Sequence, residues 1–192
     1  MNKKEITAFF DERAASWDAE QVRNDAVIDI ILSKGNIRKG AKVLDVASGT
    51  GVLFDDYLSR GVTDLTGIDI STKMLEVAGG KHPSVKLICA DAESYPFAEK
   101  YDCIMIYNAF PHFTDPDALF CNLSSALNEK GRLTVAHGMS MQELEKCHSG
   151  AAKRISAPLP EKEKLAELMS PYLNVDVMIS DSNMYMVSGT KK

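Results

Sequence analysis

The chain is 192 residues long, the length of one medium-sized domain rather than two large ones. Its residues are 45% hydrophobic and 26% charged, a composition that buries a substantial core and excludes disorder as the main description. With 22 Lys and Arg against 27 Asp and Glu the formal net charge is -5, which argues against broad affinity for nucleic acid or anionic membrane.

The first five residues, Met1-Asn2-Lys3-Lys4-Glu5, lead into a mixed-charge segment with neither a continuous apolar run nor a cleavage pattern, so no secretory signal is expected. The longest apolar runs, such as 103–107, are far short of the roughly 20 residues that span a bilayer. The expected location is cytoplasmic. Cys89, Cys103, Cys121 and Cys147 form no Cys-x-x-Cys pair and read as reduced thiols, Cys89 and Cys103 as core residues.

Ile6, Phe9, Phe10, Ala14 and Trp17 recur at helical spacing, and Val27, Ile28, Ile31 and Leu32 give a second apolar face that Gly35-Asn36 stops. Two helices are therefore expected before the first strand. From there the pattern alternates: a strand over 42–47, a helix over 52–59, a strand over 65–70, a helix capped by Ser71 and ended by Gly79-Gly80, and a strand over 85–90. A strand over 102–107, a helix over 116–127 and a strand over 132–137 follow. After helices over 141–148 and 161–169, alternating runs at 175–179 and 184–187 make a hairpin at the sheet edge. The expected fold is α/β, a doubly wound seven-stranded sheet, mainly parallel with a C-terminal antiparallel hairpin and helices on both faces.

The first strand runs into Asp45-Val46-Ala47-Ser48-Gly49-Thr50-Gly51 and then a helix. Gly49 and Gly51 allow a tight turn and close approach to a ligand, and the helix start offers unpaired N–H groups. A dinucleotide fingerprint wants a third glycine near position 54; Phe54 stands there and disfavours a nicotinamide oxidoreductase. Asp69, 18 residues beyond Gly51 at the end of the second strand, suits a carboxylate that accepts from two ribose hydroxyls. Asp91 ends the third strand on the same edge, within reach of an adenine amino group. Either acid alone also reads as a cap or turn residue. The three features in register point to a nucleoside cofactor.

Over 9–138 these residues resemble the class I S-adenosylmethionine-dependent methyltransferases, particularly the ubiquinone/menaquinone-biosynthesis group, whose fold is Rossmann-like. The segment 43–51 is similar to the first motif of the family, with Ala47 where many members have glycine, and 67–75 to the second. The resemblance implies that S-adenosylmethionine is held by Asp45, Ala47, Gly49 and Gly51, by Asp69 on the ribose, and by Ile70 and Met74 against the adenine. It places Asp91 and Ala92 at the adenine edge and Asn108, after the fourth strand, beside the methionine part. Phe9 to Asp18 resembles a lid helix over cofactor and substrate; simple amphipathic packing is its other reading. The implied organisation is one methyltransferase domain: lid helices over 1–35, a cofactor-binding core over 40–138, substrate-side helices over 139–170 and a C-terminal hairpin over 171–192.

Methyl transfer from a sulfonium is an in-line displacement in which positioning and desolvation carry most of the catalysis. An acidic carbon, phenol or thiol acceptor still needs a base, and His112 is the candidate; its alternative is packing against Phe110 and Phe113. His112, His137 and His148 follow elements expected to be neighbours, and if they converge they bind a transition metal such as zinc; helix-end polar histidines are the alternative. His82, before Pro83, is expected to be exposed and uninvolved. Lys153-Arg154 reads either as a contact for an acidic substrate group or as a solvated pair. The short segment 139–160 points to a small-molecule acceptor. The rival functional reading is a non-catalytic or regulatory S-adenosylmethionine-binding protein that senses a metal through the histidines.

Overall fold

The computed structural model describes residues 2–147 and 153–192, Cys147 by its backbone alone. Three helices, not two, precede the first strand: α1 (Lys3–Arg13), α2 (Trp17–Glu20) and α3 (Asp25–Lys34). The break falls at Ser16, whose N–H closes a tight turn on the Arg13 carbonyl while its hydroxyl donates to Glu20 at 2.6 Å, starting a new helical axis. The Asn24 side chain accepts from Val27 N–H to cap α3, which buries Val27, Ile28, Ile31 and Leu32.

The alternation then runs β1 (Lys42–Val46), α4 (Phe54–Ser59), β2 (Asp64–Asp69), α5 (Thr72–Lys81), β3 (Lys86–Cys89), β4 (Tyr101–Tyr107), a single 3-10 turn (Phe110–His112), α6 (Pro116–Ser125) and β5 (Leu127–His137). It closes with α7 (Met141–Cys147), α8 (Lys162–Met169), β6 (Leu173–Ser180) and β7 (Tyr185–Lys191). The seven strands form one sheet in the order β3-β2-β1-β4-β5-β7-β6. β1 to β5 pair in parallel, while β7 runs antiparallel to both β5 and β6. The strand order reverses between β1 and β4, the place where open α/β sheets bind ligands.

Gly79-Gly80 does not end α5, which continues to Lys81. The stop comes at His82 (φ -131°, ψ 69°), because Pro83 bars the helical conformation to the residue before it. β5 begins five residues earlier than expected, since Leu127 pairs with Tyr101 before the register shifts to Cys103 with Arg132.

Both faces of the sheet are covered, so Val43, Leu44 and Val46 of β1 and every residue of β4 but Asp102 are apolar or aromatic. Leu44, Val46, Ile104 and Ile106 pack with Phe120, Leu123, Leu165 and Met169 of α6 and α8. Val43, Cys103 and Met105 pack on the other side with Ile28, Ile31, Phe54 and Tyr57 of α3 and α4. Cys103 lies in the core as expected, but Cys89 is exposed because β3 is an edge strand. The hairpin is pinned by Arg132, which reaches across β7 and donates to both carboxylate oxygens of Asp176 at 2.7 Å. Among the described residues no helix is long and apolar enough to cross a membrane.

Candidate active site

A cavity opens at the carboxyl ends of β1 to β4. Its floor is the loop after β1, folded by three left-handed residues: Ala47 (φ 55°), Gly49 (φ 54°) and Gly51 (φ 79°). Gly51 has no alternative, because a Cβ there would lie 2.6 Å from the Phe54 ring. The same ring packs against Gly67 and occupies the space that a third glycine would open for a dinucleotide. α4 begins only at Phe54, two residues later than expected. Gly49 N–H donates to Asp69 Oδ2 and Ser71 N–H to Asp69 Oδ1, both at 2.8 Å. Two features 20 residues apart thus meet at one carboxylate.

Of the residues expected to hold a cofactor, Ala47, Gly49, Asp69, Ile70, Met74, Asp91, Ala92 and Asn108 line this cavity. Asp45 and Gly51 do not: Asp45 is buried, and Gly51 faces a second cleft shared with Arg23, Lys81 and His82. Burial pushes the Asp69 carboxyl above its ordinary value against the pull of the Ser71, Gly49 and Ile70 N–H groups. Asp45 stands well above the ordinary value, first because it is desolvated and then because Asp69 is close. Asn108 is itself left-handed (φ 53°), held by its N–H on the Ala136 carbonyl and by its side-chain oxygen accepting from Gly138 N–H, both at 2.9 Å. Beside it, a Cβ on Gly138 would sit 2.1 Å from the Tyr107 hydroxyl oxygen. Burial raises that hydroxyl's pKa to about 12.

The N-terminal helices lie over the cavity. Ile6, Phe10 and Trp17 line it, and in α1 only Ile6 is buried, so the aromatic stripe is not ordinary core packing. Three polar contacts fasten these helices. Asp11 accepts from Ser71 Oγ at 2.6 Å and Lys73 N–H at 3.2 Å, Asp18 pairs with Lys81 at 2.6 Å and accepts from the Thr50 hydroxyl, and Lys3 pairs with Asp91 and Glu93. Lys3 and Glu93 are site residues that sequence reasoning missed. The only available signal for Glu93 was its place two residues after Asp91 in a turn.

His112 lines the same cavity, its ring 5.0 Å from Phe10 in an edge contact. Its Nδ1 lies 2.9 Å from the Ile155 carbonyl. A carbonyl only accepts, so Nδ1 carries the proton and Nε2 is the basic nitrogen of the neutral ring. The turn is braced by Ala157 N–H donating to the Pro111 carbonyl at 2.7 Å.

Neither of the other described histidines joins it. His137 is fully buried at the end of β5, 6.1 Å from the Tyr185 ring, and is not part of the cavity wall. His148 lies outside the described residues. Among the described residues no group of three or more His, Cys, Asp and Glu is placed to hold a metal. His82 is not exposed as expected: its side chain is 10% accessible, with an edge contact to Phe54 and Asp55 at 3.8 Å. Lys153 and Arg154 are exposed.

Residues 43–131 match the family profile described as "Methyltransferase domain". Demethylmenaquinone methyltransferase of Renibacterium salmoninarum is 30% identical over 146 residues, 69% of this chain and 58% of that protein. Ubiquinone/menaquinone biosynthesis C-methyltransferase UbiE of Francisella tularensis is 31% identical over 69% of this chain and 59% of its own length. Malonyl-[acyl-carrier protein] O-methyltransferase of Pseudescherichia vulneris is 27% identical over 90% of this chain and 70% of that protein. The chain therefore spans under two thirds of the length of the two quinone-pathway relatives. The fold is shared with the DhpI–SAH complex at a TM-score of 0.75 and 19% identity, covering 97% of this chain and 95% of that one. It is shared too with magnesium protoporphyrin IX methyltransferase (ChlM) from Synechocystis with bound SAH, at 0.71 and 16% identity over 99% of both chains. Residues 43–131 thus match a methyltransferase domain, and the chain is similar to the class I S-adenosylmethionine-dependent methyltransferases. Within that class it resembles the ubiquinone/menaquinone group.

Proposed function

We propose that the chain transfers the methyl group of S-adenosylmethionine to a small-molecule acceptor that loses a proton as it is methylated. The observation that carries this reading is the Asp69 carboxylate on the cavity wall, fixed by backbone N–H groups and placed where a ribose hydroxyl can donate to it. The cavity fits the cofactor: a Cβ at Gly49 would meet nothing within 4 Å, so the loop leaves open space above it. Ile70 and Met74 form an apolar wall for the adenine, Asp91 and Ala92 its edge, and Ala47 and Asn108 border the methionine end. Asp45, behind the wall, acts through the loop.

When bound, S-adenosylmethionine supplies an electrophilic methyl group on a sulfonium. Ile6, Phe10 and Trp17 exclude water, which favours an in-line displacement between held partners. His112 Nε2 takes the acceptor's proton, with Nδ1–H fixed on the Ile155 carbonyl. α1 and α2 act as the lid. The relatives are named for demethylmenaquinone and for malonyl-[acyl-carrier protein], two unlike acceptors, so the acceptor is sought by screening.

Calorimetric titration with S-adenosylmethionine and S-adenosylhomocysteine tests the cofactor; micromolar affinity for both is expected, and no binding ends the proposal. With labelled S-adenosylmethionine and an acceptor found by screening, His112→Ala keeps cofactor affinity and lowers turnover about 100-fold or more. Unchanged turnover leaves His112 a packing residue.

A further inference from the structure

One carboxylate joins three walls of the cavity. Glu93, its side chain only 4% exposed, pairs with Lys3 of α1. The same carboxylate accepts from Thr114 N–H at 2.6 Å, Asp115 N–H at 3.0 Å and the Thr114 hydroxyl at 3.0 Å. Thr114 and Asp115 directly follow the turn that carries His112 and Phe113, and Asp115 goes on to cap α6 by accepting from Ala118 N–H. A buried carboxylate is tolerated only where its charge is compensated. Lys3 supplies the positive charge and the loop supplies the dipoles.

We propose that Glu93 is a positioning residue that transmits the seating of α1 to the loop bearing His112. This rests on the reading of His112 given above. With Lys3 in place Glu93 stays ionised and grips both N–H groups; with α1 lifted, the unpaired charge draws water or a proton and the grip weakens. Consistent with the grip, burial pushes the Glu93 carboxyl up, yet Lys3 and the Asp115 and Thr114 donors more than offset it and hold the group below its ordinary value. The base is therefore set in place only under a closed lid, which orders the reaction with cofactor before acceptor.

The test is hydrogen exchange at the Thr114 and Asp115 amides of the full chain, free and with S-adenosylhomocysteine. Lys3→Met lowers their protection about tenfold, whereas Lys4→Met, at an exposed neighbour, does not. The Lys3→Met/Glu93→Gln double variant regains protection, because a neutral amide still accepts from the loop and needs no cation. A role in folding alone predicts no such rescue. S-adenosylhomocysteine raises protection in the wild type but not in Lys3→Met. Wild-type protection in Lys3→Met, or loss without rescue in the double variant, overturns the proposal. If calorimetry shows no nucleoside binding, the methyltransferase reading fails, and the ligand-free comparison still decides the role of Glu93.

Discussion

Asp69 holds the glycine loop with its carboxylate and lines the cavity. Hydrogen bonds from two ribose hydroxyls to a charged acceptor are worth about 1.5–3 kcal/mol each. Asp69→Ala therefore weakens cofactor binding by about 100-fold or more with the fold intact, measured by calorimetry and circular dichroism. Unchanged affinity removes the ribose assignment. Asp45 behaves differently, since it is buried and its folded-state pKa is raised. A carboxyl of this kind imposes no penalty below its unfolded value of about 3.9, and the penalty grows as pH rises toward the folded value. Asp45→Asn should therefore raise Tm at pH 7 by about 3 °C or more, the shift that 1 kcal/mol makes in a chain of this size, and the gain should shrink toward pH 4. A lower Tm at pH 7 shows that the carboxylate is compensated in the fold. Asp69, Asp91 and the glycine loop were legible because each ends a strand recognisable by its period. Lys3 was not, since a lysine near the chain start carries no spacing signal and gains its place only when α1 packs against α5 and the turn after β3.

At the scale of elements, α1 and α2 are attached chiefly by charge. The Lys3 pair with Asp91 and the Lys81 pair with Asp18 are partly exposed, with Lys3 and Lys81 each 38% accessible. Such contacts contribute about 0–1 kcal/mol apiece and weaken with salt, since the screening length falls to about 3 Å at 1 M. Raising sodium chloride from low to molar concentration should speed exchange in α1 and α2 about two- to fivefold, while amides of β4 and β5 stay unchanged. Equal exchange in both regions shows that the lid is held by its apolar contacts instead. The aromatic spacing of Ile6 to Trp17 was enough to find a helix here. It could not show the turn at Ser16, which depends on a hydroxyl choosing Glu20 as partner. Nor could it show that α5 outruns its glycines, where a close approach to Leu87 uses the missing side chain of Gly79 and Pro83 sets the end.

For the whole molecule, two cores on opposite faces of one sheet give the rigidity on which the site depends. Phe120 is fully buried in one of them and stacks on Phe110 at 5.7 Å, two residues before His112. Phe120→Ala should cost about 3–5 kcal/mol in denaturant unfolding, a large part of the 5–15 kcal/mol typical of a domain. A loss under 1 kcal/mol would mean that α6 repacks. The parallel pairing of β1 to β5 was legible from the alternation of strand and helix periods. The insertion of β7 between β5 and β6 was not, because it rests on pairings such as Thr134 Oγ1 with Ser188 Oγ at 2.7 Å that no local pattern announces. The contact between Tyr107 and Gly138 also limits the order in which this sequence can change. With Tyr107 present, any larger residue at 138 drives the phenol toward the cavity it borders; after Tyr107→Phe removes the hydroxyl, alanine at 138 meets less obstruction. The two substitutions are thus coupled across the ends of neighbouring strands, and Gly138→Ala should cost less after Tyr107→Phe than before it.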